Sequence, residues 1–325
     1  MQSLATEPIR KRSVSWSGLL ESAALVGWLV TIAGFLGSWS WFLELAAHFR
    51  VQLAIAFAIL TLVTLFGRPR RAPFLAASLG LVVNGGLVLW EARPVGRPPS
   101  PSAEGIRLLS INVHTANHRA DLVLQAIGQA DPDVLLLMEV DPRWMQDLEA
   151  LWARYPFRLE EPRRDNFGIA LFSRLPLDEG RVEDFPGTQV PSIFATVRTP
   201  RGIFQLTGTH PLPPGSREDA AERNRQLEAL AERTAAHPRT SVVLGDLNVT
   251  PWSPHFPRLL KHGQLLRAHP GWGVFATWQV DQPWFSLPLD HCLVSPNLPI
   301  QRLEVGPDVG SDHRPLIVEL AVPPR

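Results

Sequence analysis

A single cysteine, Cys292, is present, so the chain can form no intramolecular disulfide and no cysteine-based zinc site. An excess of positive charge is also missing, since 31 Lys+Arg stand against 31 Asp+Glu in 325 residues. Sequence-independent binding to nucleic acid needs a positive surface that releases counterions, so a basic coating protein is disfavoured. There is no Gly-rich phosphate loop and no repeat of fixed period, and the one tyrosine is Tyr155. The most telling scarcity is local. Glu21 and Glu44 are the acidic residues between Gly18 and Trp90, and residues 1–100 carry 9 Lys+Arg against 4 Asp+Glu, leaving the remainder net acidic. The first hundred residues are therefore not an ordinary globular domain.

What fills them is apolar. Gly18–Gly37, Phe49–Phe66 and Pro73–Trp90 are each long enough for a membrane-crossing helix, which takes about 20 residues. Trp16, Trp39, Trp41 and Trp90 fall at their ends, where amphipathic rings prefer the headgroup level. Arg10, Lys11 and Arg12 precede the first stretch, Arg68, Arg70 and Arg71 fill the second link, and the first link holds little charge beyond Arg50. The positive-inside rule then puts the amino terminus and Arg68–Arg71 in the cytoplasm and everything after Trp90 outside. A cleaved signal peptide is the rival reading of the first stretch, but its apolar length exceeds the usual core and two more stretches follow. Glu21 is expected near the interface, and Asn84 in helix packing beside Gly85 and Gly86. Residues 1–92 thus read as an anchor that reaches the lipid bilayer through three N-terminal helices. The short loops suggest a bacterial inner membrane. Residues 93–105 (RPVGRPPSPSAEG) form a Pro-rich spacer, and 106–325 a single domain able to bury a sizeable core.

In that domain, Ile106–Asn112, Val134–Met138, Gly168–Ser173, Ile193–Arg198, Ile203–Thr209, Ser241–Leu244, Leu289–Ser295 and Leu316–Leu320 read as strands. Helical patterns occupy Ala120–Ala130, Pro142–Ala153 and Arg217–Ala236. Strands joined both by helical crossovers and by turns imply a mixed α/β layered fold.

Polar residues interrupt these strands mainly at their carboxyl ends, where sites form in α/β sheets. Asn112 ends the first strand and Glu139 the second; TGTHP brings His210, VVLGDLN brings Asp246 and Asn248, PLDHCLV brings Asp290, and GSDHRP brings Asp312 and His313. Asp246 and Asn248 are two apart, so in an extended chain they point to the same side. Oxygen and imidazole donors without cysteine suit a hard cation, Mg²⁺, Mn²⁺ or Ca²⁺, rather than zinc.

The ordered set N…E…TH.P…GDLN…LDH…SDHRP resembles the endonuclease/exonuclease/phosphatase superfamily of metal-dependent phosphoesterases, over about Ile106 to Leu320. Any one of these motifs is weak; their joint order and spacing is strong. The resemblance implies an α/β, four-layered sandwich of two mixed β-sheets flanked by helices, here preceded by three transmembrane helices. It implies Glu139 as the main ligand of Mg²⁺ (or Mn²⁺), helped by Asn112 and Asp312. It makes Asp246 and Asn248 the residues that position or deprotonate the attacking water and hold the phosphate, His210 and His313 the donors to phosphate oxygens, and Asp290 the residue that orients His313. Either Asp246 or the His313–Asp290 pair could take the proton, with Asp246 favoured. Two departures stand out. His114 occupies a position where many relatives have an acidic residue, and Tyr155 lies at a helix end, so a tyrosinate mechanism is doubtful.

The function implied is hydrolysis of a phosphodiester or phosphomonoester, with a lipid headgroup, a small phosphate or a nucleic acid as substrate. A nuclease would need a groove lined by residues such as Arg164, Arg174, Arg225 and Arg314. A non-catalytic scaffold on the same fold is the alternative from another class, disfavoured because every metal and imidazole residue is retained. Asn117 is expected to cap the helix after the first strand, and Asn166 to make a turn or approach substrate. Of Trp252, Trp272, Phe275, Trp278, Trp284 and Phe285, at least half are expected in the core, the others lining a cleft or dipping toward the bilayer. His291 and Cys292 read as core, and His255, His262 and His269 have no assigned role.

Overall fold

Four helices precede the first strand in the computed structural model, which describes residues 15–67, 71–96, 105–238 and 240–322. Arg10, Lys11, Arg12, Arg68 and Arg70, and residues 97–104 of the Pro-rich spacer, lie outside the described residues. Helix α1 spans Trp16–Phe35, and Ser15 caps it by accepting the Gly18 N–H at 3.2 Å. Helix α2 (Trp41–Leu45) runs through a tight helical turn, Ala46–Phe49, into α3 (Arg50–Phe66), and α4 spans Arg71–Ala92. Trp16–Phe35, Trp41–Phe66 and Arg71–Ala92 are long and apolar enough to cross a membrane. The second run therefore starts earlier than the apolar stretch Phe49–Phe66 indicates, because Trp41, Phe42, Leu43 and Leu45 extend it across Glu44 and His48.

Arg50 does not sit in an exposed link. It is buried among the helices, where its guanidinium donates to the Thr31 carbonyl and to Asn84 Oδ1, each at 3.1 Å, and covers the Phe35 ring. Those partners offset the cost of taking the cation out of water. Asn84 also donates to Thr31 Oγ1 at 3.0 Å, which confirms its packing role between helices. Phe57 of α3 nests between Gly27 and Gly80, where any Cβ would run into its ring.

The remaining elements are β1 (Gly105–Asn112), α5 (Ala120–Ala130), β2 (Val134–Met138), α6 (Pro142–Asp147), β3 (Phe157–Glu161), β4 (Ile169–Ser173), β5 (Leu177–Asp184), β6 (Pro191–Arg198) and β7 (Ile203–Thr209). They continue with α7 (Arg217–Ala235), β8 (Ser241–Asp246), α8 (His255–His262), β9 (Leu266–Arg267), β10 (Asp290–Val294), β11 (Ile300–Val305) and β12 (Leu316–Ala321). They form two six-stranded sheets of order β11-β12-β1-β2-β4-β3 and β5-β6-β7-β8-β10-β9. The pairs β1/β2 and β7/β8 are parallel and the others antiparallel, so both sheets are mixed.

Alternation along the central strands explains the layering. In β2, Leu136 and Met138 face Val242 and Leu244 of the other sheet, while Leu135 and Leu137 face Ile127 of α5 and Trp144 of α6. In β8, Val243 turns outward to Leu227 and Leu230 of α7 and Phe256 of α8. Helix, sheet, sheet, helix is the four-layered sandwich expected.

The bundle docks on the sandwich at the end where α1 finishes and α4 runs into the spacer. There Glu44 forms a buried ion pair with Arg223 of α7 at 2.6 Å and accepts the Ser253 hydroxyl at 2.6 Å. Gln52 donates to the Ser286 carbonyl at 3.3 Å, Trp252 donates to the Leu87 carbonyl at 3.3 Å, and Arg267 pairs with Glu91 at 3.1 Å.

Candidate active site

Strand pairing brings the chemistry together. The parallel pair β1/β2 sets Asn112 beside Met138, so Glu139 follows directly at the sheet edge. In the second sheet Gly208 lies beside Leu244, which carries His210 toward Asp246, and the antiparallel pair β8/β10 sets Asp290 opposite Asp246. Gly245, at φ 145°, lets the ends of the neighbouring strands β7 and β8 close up here: a Cβ would strike the Thr209 carbonyl oxygen.

Asn112 donates to Glu139 Oε1 at 2.9 Å and lies 3.5 Å from Asp246 Oδ2, while its own amide oxygen accepts the His114 N–H at 3.1 Å. Glu139 also accepts the Thr115 N–H at 3.3 Å. Asp246 is 1% exposed; its Oδ2 faces His210 Nε2 at 3.5 Å and His313 Nε2 at 3.4 Å, and its Oδ1 accepts the Asn248 N–H at 2.9 Å. The far side of His313 donates from Nδ1 to Asp290 Oδ2 at 2.8 Å. Burial alone would lower the pKa of His313, but the carboxylates of Asp290 and Asp246 outweigh it and raise it to about 10, so the ring is an imidazolium at neutral pH. Asp312 accepts the Trp278 indole N–H at 3.1 Å and lies 3.7 Å from His114 Nδ1. His210 Nδ1 and Asp290 Oδ1 are buried with no hydrogen-bond partner among the described residues.

A cavity of about 370 Å³ gathers Glu139, His210, Asp246, Asn248, Asp312 and His313. Asn112 and Asp290 stand behind these residues and hold them. Asp246, Asp290 and His313 bring donor atoms within 4.8 Å of one another, close enough for a cation. The protonated His313 ring sits between the two carboxylates, hydrogen-bonded to Asp290 and ion-paired with Asp246.

The local structure amends several expectations. Asn248 does not continue an extended strand beside Asp246; its φ of 48° turns the chain, and its side chain donates to the Pro211 carbonyl at 3.0 Å. Asn117 does not cap α5, which starts after Arg119 without a side-chain cap; it ties its loop down by donating to the Val113 and Val309 carbonyls. Asn166 makes a left-handed turn at φ 67° and also lines the cavity. None of the six loop aromatics belongs to the buried core: Trp278 lines the cavity, while Trp272, Trp284 and Phe285 are exposed. Arg174 pairs with Asp131 at the far end of β4, and Arg314 lines a separate depression with Val280 and Pro283, so neither contributes to a basic groove at the cavity. Tyr155 is buried and donates to the Pro132 carbonyl at 3.1 Å, away from the site. His291 and Cys292 are core residues; burial pushes His291 down to about 4, leaving a neutral ring that donates to the Val249 carbonyl at 2.8 Å.

Leu45, His48 and Phe49, outside all of the strand-end motifs, line the same cavity from the segment between α1 and α3. Glu44 and His48, two polar residues inside an apolar helical run, are the signal that could have pointed there.

A family model described as "Endonuclease/Exonuclease/phosphatase family" matches residues 109–313, more than half of the chain. This chain belongs to that family. As a member it is a hydrolase acting on phosphoester bonds. A comparison with curated proteins finds no match. Among solved structures, D. rerio TDP2 complexed with single-strand DNA product has a TM-score of 0.55 at 18% identity, over 67% of this chain and 100% of the other. The 3′ phosphatase NExo from Neisseria, bound to product DNA hairpin, has a TM-score of 0.56 at 20% identity, over 67% of this chain and 100% of the other. Sphingomyelinase C from Streptomyces griseocarneus has a TM-score of 0.51 at 19% identity, over 66% and 99%. At such identities the likeness shows a shared fold, and the family's substrates differ within it.

Proposed function

We propose that the chain is a divalent-cation-dependent phosphoesterase, held in a membrane by its three N-terminal helices, that cleaves its ester with an activated water. The observation that carries this reading is the convergence of Glu139, His210, Asp246, Asn248 and His313 on one cavity, with Asn112 and Asp290 supporting them. Two carboxylates at the cavity, Glu139 and Asp312, offer the hard oxygen donors that Mg²⁺ or Mn²⁺ takes, and no cysteine lines it. Asn112 aligns Glu139 through its amide N–H, its oxygen being engaged by His114. A cation held there would polarise the phosphate and stabilise charge on the departing oxygen.

The chain's own residues do the rest. Asp246, its Oδ1 fixed by Asn248, is the base of this reading, with Oδ2 turned toward the reacting centre. His210 and His313 donate to the non-bridging oxygens and neutralise their charge. Asp290 holds the His313 ring in position, as a carboxylate behind a catalytic imidazole does. A membrane phosphoester or small phosphate is favoured over nucleic acid, because no Lys or Arg lines the cavity. The amino terminus and the α3–α4 link belong on the cytoplasmic side in this reading, with the sandwich beyond the opposite face, as in a bacterial inner-membrane protein.

The test is hydrolysis of bis-p-nitrophenyl phosphate by the purified full chain in detergent micelles. Activity is expected with Mg²⁺ or Mn²⁺ and lost with a chelator. Glu139→Gln, Asp246→Asn and His313→Ala are each expected to lower kcat by about 10²–10⁴-fold. Wild-type rates in His313→Ala would exclude the proposed chemistry.

A further inference from the structure

The segment between α1 and α3, where the second membrane-type run begins, is part of the cavity wall. Leu45, His48 and Phe49 face the space that also holds Glu139, Asp246 and His313, and Phe167, Trp278 and Leu287 continue the apolar lining. This wall is fixed. Arg223, the buried partner of Glu44, also donates to the Asn248 carbonyl at 3.1 Å, so one guanidinium ties the link to the DLN turn. His48 is 5% exposed; its Nδ1 meets Thr250 Oγ1 at 2.9 Å, and its Nε2 is buried with no partner among the described residues. A buried imidazole nitrogen without a partner costs free energy unless a ligand supplies one.

The surroundings indicate what kind of ligand. Trp39 and Phe42 of the link are 79% and 67% exposed, and Trp284 and Phe285, 80% and 52% exposed, adjoin Ser286, which accepts from Gln52 of α3. Bulky aromatic rings exposed where an apolar bundle meets a polar domain are suited to the headgroup layer of a bilayer. A polynucleotide would instead call for Lys or Arg along its backbone, and the cavity lining has neither.

We propose that His48 is a substrate-binding residue and that Leu45 and Phe49 beside it form an apolar seat, which makes the substrate an amphiphilic phosphoester drawn from the membrane surface. His48 Nε2 gives or takes a hydrogen bond with the headgroup, with Thr250 setting the tautomer. Leu45 and Phe49 meet the start of the apolar chain. The inference rests on the phosphoesterase reading and adds to it a specificity set by the membrane segment.

The test uses the full chain in mixed micelles with three chromogenic diesters that release the same p-nitrophenolate: hexadecyl p-nitrophenyl phosphate, thymidine 5′-p-nitrophenyl phosphate and bis-p-nitrophenyl phosphate. Because each variant is judged by the ratio of kcat/KM between substrates, a partly unfolded preparation does not alter the readout. Wild type is expected to prefer the hexadecyl ester over the thymidine ester by about tenfold or more, as one buried apolar contact and one hydrogen bond allow. Phe49→Ser, Leu45→Ser and His48→Ala are expected to shrink that ratio by about tenfold, mainly through KM, with His48→Gln recovering part of it. Equal ratios in wild type and variants, or a preference for the thymidine ester, would overturn the inference while leaving the phosphoesterase reading intact. Cleavage of the monoester p-nitrophenyl phosphate but of none of the three diesters would overturn the inference alone; if that monoester too is left intact with Mg²⁺ or Mn²⁺, the phosphoesterase reading fails and the inference with it.

Discussion

The helical bundle and the sandwich use the same apolar residue types but present them to opposite surroundings. In the bundle, Leu29, Leu62 and Val82 are more than half exposed, whereas Leu108, Leu136 and Val242 of the sandwich are fully enclosed. In water such a bundle surface would be an aggregation hazard; in hydrocarbon nothing is gained by turning leucine inward, so the arrangement fits a lipid surrounding. Polar groups differ in the same way. The bundle satisfies Arg50, Asn84 and Thr31 against one another, while the sandwich collects its polar residues at strand ends around a cavity. The two arrangements meet at Glu44 and Arg223, a buried charge from each side.

The junction gives the largest expected effect on stability. Glu44→Ala leaves Arg223 buried without its carboxylate and should destabilise the docked arrangement by about 3–5 kcal/mol. The drop in Tm of the full chain in detergent measures it, and an unchanged Tm would mean that bundle and sandwich are held together in another way. A smaller contrast tests the two surroundings directly. Leu136→Ala, at a fully buried position between the sheets, should cost about 2–5 kcal/mol. Leu79→Ala, on a bundle face that is 56% exposed, should cost less than about 0.5 kcal/mol. Equal losses would show that the bundle's outer face packs against protein. The smallest effect concerns Cys292, whose thiol burial pushes up to about 12. Thiol reagents should leave it unmodified in the folded chain and label it only as the sandwich opens, at the rate of unfolding. Prompt labelling under native conditions would contradict its core position.

The same contrast decides what was legible in the sequence. Central strands such as β2 and β8 are continuous apolar runs, because both faces are covered, and they stand out without any structure. The strands that escaped notice, β3, β5, β9 and β11, are the four edge strands of the two sheets. Phe157–Glu161, read FRLEE, shows why: with one side open, an edge strand keeps charged residues and no clear apolar pattern. The strand-end residues of the site were legible from the motif order and the resemblance it carries. The turn at Asn248 was not, because a positive φ leaves no periodic trace in a short polar segment. Leu45, His48 and Phe49 were hidden for a different reason. They belong to a run read as membrane anchor; Glu44 and His48 mark that run as unusual, but the place of the three residues beside Asp246 and His313 in one cavity depends on how the bundle docks.

The claim at the centre is that one divalent cation is held beside Glu139 within reach of Asp246 and His313. Anomalous diffraction from crystals of the full chain grown with Mn²⁺ tests it most directly. The account predicts a single strong peak in the cavity, about 2.0–2.6 Å from a Glu139 carboxylate oxygen, that is lost in Glu139→Gln. A peak lodged between Asp246 and Asp290 and unaffected by Glu139→Gln, or no peak at saturating Mn²⁺, would contradict it.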